Sequence, residues 1–281
     1  MKAFSLSIVA ALFSASGVDC IAGTIYGITF FGNELISIDQ STGSGALVGS
    51  LGATVSAFGI AERGGVLYTF NPNTSQIQSI DPATGLAGPG FNIGVGGVKG
   101  EGDLAFRADG AGFLAAAFDA NLNPVNDLYR FDLASGTSVR LGTTGITIDG
   151  LVFDGAMLYA LGQGEGKLFS VDPSTGATTS IGSLGVDQNS PVAGLTLAND
   201  GSLLGAIDDR LYRIDKTTGA ASPVDPSILD IGFSSVSGLA AGSPTGSSVP
   251  DGGSTIALLI ASLAGLTGAA SAVRDKARQN L

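Results

Sequence analysis

The stretch from Asn126 to Gly182 decides the fold, because it contains one pattern twice. Its two copies read Leu128-Tyr129-Arg130-Phe131-Asp132-Leu133-Ala134-Ser135-Gly136 and Leu168-Phe169-Ser170-Val171-Asp172-Pro173-Ser174-Thr175-Gly176. Each begins with strand-forming residues and ends in Asp, small polar residues and Gly, which is the chemistry of a tight turn. The pattern therefore predicts a β-strand that enters a hairpin.

Three further copies of this pattern lie elsewhere in the chain. The Asp residues of all five copies are Asp39, Asp81, Asp132, Asp172 and Asp215. They are 42, 51, 40 and 43 residues apart, which matches the roughly 40–50 residues of a four-stranded propeller blade. A longer insertion in the third unit explains the spacing of 51 residues.

The first unit lacks the innermost strand that the later units have. Ile25-Tyr26-Gly27-Ile28 corresponds to their second strand, and the missing piece recurs at the other end as Val236-Ser237-Gly238-Leu239-Ala240. A C-terminal strand that completes an N-terminal blade ties the ring together. We therefore predict an all-β fold, a five-bladed β-propeller over residues 23–242 whose blade one is closed by the C-terminal strand.

The composition excludes several kinds of site and partner. The chain has no His and only one Cys, Cys20, which removes most zinc sites, disulfides and nucleophile–base pairs. The segment from Thr24 to Ser248 contains 21 Asp and Glu residues but only 9 Lys and Arg residues. A segment with this excess of negative charge binds nucleic acid poorly.

Residues 1–22 have the character of a secretory signal peptide. Lys2 precedes an apolar run from Ala3 to Ala15, and small residues follow. Cleavage after Gly17 or after Ala22 satisfies the small-residue rule, and we prefer Ala22 because strand-like sequence starts at Thr24. The N-terminus thus predicts an exported protein.

The C-terminus has three parts after a flexible linker at residues 243–248. A short motif comes first, then the uncharged span 254–273, then the tail 274–281 with its basic residues. Twenty residues at 1.5 Å rise can cross a bilayer core of about 30 Å, and the basic tail predicts a cytoplasmic end. The motif consists of Val249, Pro250, Asp251, Gly252 and Gly253.

This ending resembles the PEP-CTERM class of bacterial sorting signals, and most closely its Val-Pro-Asp-Ser-Gly variant. Gly252 stands where that pattern has Ser. The resemblance implies export in a Gram-negative bacterium, brief retention in the inner membrane, and cleavage near the motif by an exosortase-like enzyme. It also implies a final place at the cell surface or in extracellular polymer. A plain C-terminal membrane anchor is the alternative.

One loop has side chains that resemble the start of a calcium loop. Asp119, Asn121, Asn123 and Asp127 place oxygen atoms at alternate positions. However, Pro124 stands where such a loop needs Gly, and Arg130 where it needs Glu. We therefore favour a solvated loop over a calcium site, and expect no other cofactor.

Three acidic residues lie near the innermost strands by the phase of the repeat. Glu62, Asp103 and Asp149 are expected to line the mouth of the central channel, where a cation could bind. No acid–base pair is recognisable at a diagnostic spacing, so no catalytic residue is assigned.

The sequence leaves three hypotheses about function. The first is a non-catalytic surface or extracellular-matrix protein that uses its propeller for binding or structure, with extracellular polysaccharide as a partner. The second is a secreted glycan-active enzyme that uses carboxylates and calcium. The third is a permanently anchored periplasmic scaffold. The fold alone does not choose among them.

Overall fold

A computed structural model describes residues 24–52, 58–99, 101–187 and 192–242. The predicted signal peptide, linker, sorting motif, membrane span and tail lie outside these ranges. Within them, all the regular structure is β, and no helix is long and apolar enough to cross a membrane.

The strands form five four-stranded antiparallel sheets, the blades of a propeller. Blade 1 combines β1 (Thr24–Thr29), β2 (Glu34–Asp39) and β3 (Gly45–Ser50) with the last strand, β20 (Val236–Ala241). Blade 2 contains β4 (Phe58–Arg63), β5 (Val66–Asn71), β6 (Gln76–Ile80) and β7 (Ala87–Asn92). Blade 3 contains β8 (Leu104–Phe106), β9 (Gly112–Phe118), β10 (Pro124–Asp132) and β11 (Thr137–Thr143).

Blades 4 and 5 repeat the same order from the channel outward. Blade 4 contains β12 (Ile148–Asp154), β13 (Met157–Gly162), β14 (Lys167–Val171) and β15 (Thr178–Ser183). Blade 5 contains β16 (Ala193–Leu197), β17 (Leu203–Ile207), β18 (Arg210–Ile214) and β19 (Ala221–Pro223). The predicted five-bladed fold is thus confirmed.

Blade 1 is closed by the two ends of the described chain, as the sequence predicts. Strand β20 pairs antiparallel with β1, and Gly27 lies opposite Leu239 in the register. Because β20 lies on the channel side of β1, blade 1 has its innermost strand from the C-terminal end and its outer three from the N-terminal end.

The predicted turns join the third and fourth strands of each blade. In the blade 5 turn, Asp215 accepts hydrogen bonds from the backbone N–H groups of Thr217 (2.8 Å) and Thr218 (2.9 Å). Gly219 takes a positive φ of 78°, which explains the Gly that ends the pattern. The hydroxyl of Thr217 also donates to Asp215, at 2.6 Å. This hydrogen bond, followed by the two backbone bonds, lowers the pKa of Asp215 to about 2.

The long spacing in blade 3 comes from two places rather than one insertion. Strands β9 and β10 extend into the stretch expected to be loop, which leaves only residues 119–123 between them. The connection from β7 to β8 is also long, and its Ile93, Val95 and Val98 are buried. These three side chains pack into the core between blades 2 and 3.

Hydrophobic side chains fill every interface between neighbouring blades. Five clusters of buried residues are found among the described residues, and each combines side chains from two adjacent blades. Burial of these apolar faces is the main force that holds one blade against the next.

The innermost strands meet so closely that one position in four of them has almost no room for a side chain. Gly59, Gly150, Gly194 and Gly238 hold this position in blades 2, 4, 5 and 1, and we call them the ring glycines. A Cβ added to Gly238 would lie 2.7 Å from the Cα of Gly59, and one added to Gly194 would lie 2.7 Å from the backbone of Gly238. Contacts this short require the backbone to move.

We predict that Gly238→Ala destabilises the fold by about 1–3 kcal/mol, the usual cost of overpacking. Gly88→Ala is the matched control, because it also adds a methyl group to a strand, but the one close contact of that group is the rotatable hydroxyl of Ser79, at 2.7 Å. Urea unfolding of both variants and the wild type measures the difference. Equal stability of the two variants would contradict a close contact at the ring.

Candidate functional site

Blade 3 departs from the ring glycines, because Asp103 takes the ring position there. Its side chain is completely buried and accepts backbone hydrogen bonds from three blades. Leu104 N donates to Oδ1 at 2.8 Å and Leu151 N to Oδ2 at 2.7 Å, while the N–H of Ile60 is the third donor. The carboxyl group therefore joins blades 2, 3 and 4 at the channel axis.

The environment of Asp103 acts on its pKa in two directions. Burial raises the pKa well above its ordinary value, and the nearby charge of Asp149 raises it further. The three N–H donors favour the ionised form and lower it only in part. The pKa of Asp103 therefore stays well above its ordinary value.

The ring divides the channel into two ends. We call the end at which the innermost strands begin the upper end and the end at which they finish the lower end. Asp149 directly precedes the ring glycine of blade 4, so it lies at the upper end. Glu62 comes three residues after the ring glycine of blade 2 and lines a pocket at the lower end. The structure thus separates two of the residues expected to share one channel mouth.

Asp149 is a buried carboxyl group without a hydrogen-bond partner on one of its oxygens. Its side chain is 3% exposed, and Oδ2 has no partner in the part of the protein that the structure describes. Burial, followed by the charge of Glu101, raises the pKa of Asp149 to about 8. Asp149 is therefore protonated at neutral pH unless a positive charge binds next to it.

Glu101 connects blade 3 to blade 4 at this upper end. Its Oε2 accepts a hydrogen bond of 2.7 Å from Nε2 of Gln163, which follows β13 of blade 4. The backbone carbonyl of Glu101 accepts a hydrogen bond of 2.9 Å from the N–H of Ala117 in β9. Sequence analysis missed Glu101, because only the contact between blades brings it close to Asp149.

A second buried polar group without a partner lies in blade 1. Ser237 precedes its ring glycine as Asp149 does, is 4% exposed, and has no hydrogen-bond partner for Oγ among the described residues. Buried polar atoms without partners are rare in proteins. The upper side of the ring therefore contains two of them at equivalent positions in the repeat.

The pocket at the lower end has a volume of about 230 Å³. All five innermost strands line it. The side chains of Ile60, Leu104 and Leu151, next to the ring, are buried in the cores between blades. Glu62 and Asn199 provide polar groups on its wall. Asn199 is exposed and donates from Nδ2 to the carbonyl of Gly242 at 3.1 Å.

A second depression lies beside this pocket, between the hairpin turns of blades 2 and 3. Its two arginines already have partners. Arg63 lies over the ring of Phe106 at 5.5 Å, and Arg107 over Phe113 at 5.6 Å, with a short ion pair from Arg107 to Asp109. This surface therefore offers few unpaired charges to a ligand.

The four residues considered for a calcium loop lie in the β9–β10 hairpin, and the side chains of Asp119, Asn123 and Asp127 bond within the protein. Asp119 accepts from the backbone N–H groups of Asn121 (2.8 Å) and Asn123 (2.9 Å) and from Asn123 Nδ2 at 2.9 Å. Asp127 forms a two-point contact with Arg140, at 2.6 and 2.7 Å. Among the described residues, no three His, Cys, Asp or Glu side chains are grouped as ligands of one metal ion.

Comparison with known proteins adds no family to this description. A scan against protein-family models finds no match, and a search of curated proteins finds none either. The class of the protein is therefore given by its fold, a five-bladed β-propeller.

We predict that Asp103→Asn is more destabilising than Asp103→Gly. The side-chain NH₂ of Asn would point toward backbone N–H groups, so donors on both sides would lack acceptors. Each buried donor left in this way lowers stability by about 1–3 kcal/mol. Gly instead restores the residue that the other four blades have at this position, and leaves space in which water can bind the three donors. Urea midpoints of the two variants at pH 7 measure the order. Equal or reversed stabilities would show that Asp103 is not the shared acceptor.

We predict that Asp149→Asn removes a pH dependence of stability. Between about pH 4 and 8 the folded protein keeps a proton on Asp149 that the unfolded chain loses. Asp149 therefore lowers stability as pH rises, by roughly 1.4 kcal/mol per pH unit, and Asn does not. Urea unfolding at pH 4.5, 6 and 7.5 in EDTA tests this. The variant should match the wild type at pH 4.5 and exceed it at pH 7.5, whereas a constant difference between them would contradict the raised pKa.

Proposed function

We propose that this protein is an exported, non-catalytic binding protein of the bacterial cell surface or extracellular matrix. The pocket at the lower end of the channel supports this proposal most directly. Backbone from all five blades forms its wall, so its shape is set by the whole ring. Sites that are largely preformed lose little conformational freedom on binding.

The pocket also limits what the ligand can be. Its volume of about 230 Å³ is below the ~300–1,000 Å³ of pockets that enclose drug-sized molecules. It suits one unit or the end of a polymer rather than a long segment. Because the body is acidic, a neutral sugar unit of a polysaccharide is a better fit than an anionic one.

The experiment is a binding titration of the purified full chain against neutral polysaccharides and their oligosaccharides. We expect Asn199→Ala and Glu62→Gln to weaken binding about tenfold each, the effect of losing one hydrogen bond of about 1.4 kcal/mol. Asn121→Ala is the control, because Asn121 is exposed in the β9–β10 hairpin, away from the lower pocket. Absence of binding, or equal weakening in the control, would exclude the pocket as the site.

Export and sorting are part of the same proposal. The signal-peptide pattern at residues 1–22 and the motif at Val249–Gly253 support passage through the inner membrane and processing by an exosortase-like enzyme. Intact-mass measurement of the protein from the cell surface tests this, since the processed form lacks the span 254–273. A protein that retains this span in the membrane fits the anchored periplasmic scaffold instead.

A glycan-active enzyme is the second candidate, and Asp149 is the observation that favours it. A carboxyl group with a raised pKa near a second carboxylate, here Glu101, is the arrangement that glycosidases use for acid catalysis. Its burial speaks against direct contact with a substrate. Product formation in the same titrations, abolished by Asp149→Asn but not by Asn199→Ala, would favour the enzyme over the binding protein.

A further inference from the structure

Among the described residues, the carboxyl groups of Asp149 and Asp103 differ from the other buried or ion-paired acids in having no cationic partner. Asp127 pairs with Arg140 and Asp154 with Lys216, each at 2.6 Å. No lysine or arginine of the described residues forms an ion pair with Asp149 or Asp103. A buried carboxylate without a partner is costly, so proteins usually supply a cation or keep the group protonated.

Hydrogen bonds connect the segments that carry these acids across the interface of blades 3 and 4. Glu101 accepts from the side chain of Gln163, whose backbone N–H donates to the carbonyl of Thr147, two residues before Asp149. Asp103 accepts from the backbone N–H two residues after Asp149. Two of these three groups, Asp103 and Glu101, already accept hydrogen bonds, whereas Oδ2 of Asp149 is buried without a partner among the described residues. The free coordination position is therefore on Asp149.

We propose that the upper end of the channel, between blades 3 and 4, binds a divalent cation of the calcium type through Asp149 and Glu101. The donors are oxygen atoms from two carboxylates, which hard cations prefer. Calcium also accepts backbone carbonyl and water oxygens in irregular geometry, whereas magnesium requires a near-ideal octahedron. With only two protein carboxylates, the affinity should fall in the range of weak sites, with a Kd on the order of 0.1–1 mM.

This site is distinct from the β9–β10 hairpin, whose acids have partners already. It also does not depend on the proposed binding of glycans at the lower pocket, which lies on the other side of the ring. A bound cation replaces the missing partner of Asp149 and ties the innermost strand of blade 4 to blade 3. Its first measurable effect is therefore on stability.

Thermal unfolding of the full chain tests the proposal. The protein is treated with EDTA, dialysed and titrated with CaCl₂ or MgCl₂ up to 10 mM at pH 7.5. We expect calcium to raise the Tm of the wild type by a few °C, as weak binding to the folded state does, and magnesium to raise it less. Isothermal titration with calcium alone measures the Kd directly.

Two variants and one control locate the cation. Asp149→Asn should abolish the calcium-dependent rise in Tm, and Glu101→Gln should weaken binding at least fivefold. Asp119→Asn is the control, because it removes a carboxylate from the hairpin that the sequence first suggested, and it should respond as the wild type does. If Asp149→Asn does not fold, the calcium affinity of Glu101→Gln, measured by isothermal titration, still shows whether the cation binds at this site.

Two results would overturn the proposal. One is a wild type whose Tm and titration heats do not respond to either cation up to 10 mM. The other is a calcium response that persists in Asp149→Asn, or that disappears in Asp119→Asn, since either would place the cation elsewhere.

Discussion

The structure depends on the close approach of five innermost strands around one axis. At the ring position, four strands have glycine, because a Cβ at any of these would overlap with the neighbouring strand or with the side chain of Asp103. The fifth strand has Asp103, whose carboxyl group fits only because backbone N–H groups of three blades donate to it. One acid thus bonds to strands that would otherwise present unsatisfied donors to a narrow channel.

This ring determines which chemistry each end of the channel can have. The residues just before the ring are in contact with the neighbouring blade, so Asp149 is buried beside Glu101 rather than open to solvent. The residues after the ring leave a pocket whose wall is formed by all five innermost strands. A site for an ion and a site for a larger ligand can therefore exist in the same channel without sharing a residue.

The sequence was sufficient for the architecture because its information is local. Each turn is specified by an Asp that bonds to nearby N–H groups and a Gly at positive φ, and five such turns at regular spacing allow only a few folds. The first unit lacks its innermost strand and an extra strand of that type stands near the end of the repeats, which together predicted the closure of blade 1. Blade 3 was predicted less well, because the length of β9 and β10 depends on their pairing rather than on turn residues.

The candidate site could be predicted only in part, because it is formed by contacts between blades. Repeat phase placed Asp103 and Asp149 near the channel, but it also placed Glu62 with them, since phase along a strand does not give the position of the ring. Glu101 carries no signal in the sequence at all. Its role follows from the hydrogen bond to Gln163, a residue 62 positions away.

The acids of this protein act on stability in two opposite directions, and the difference follows from where each one lies. The turn acids, such as Asp215, are exposed and have lowered pKa values, so their contribution is present above about pH 4 and lost as pH falls toward 2. Asp149 is buried with a raised pKa, so its cost grows as pH rises from about 4 to 8. A cation bound at Asp149 would supply the partner that its buried Oδ2 lacks among the described residues, which gives the proposed calcium site a physical reason within the fold itself.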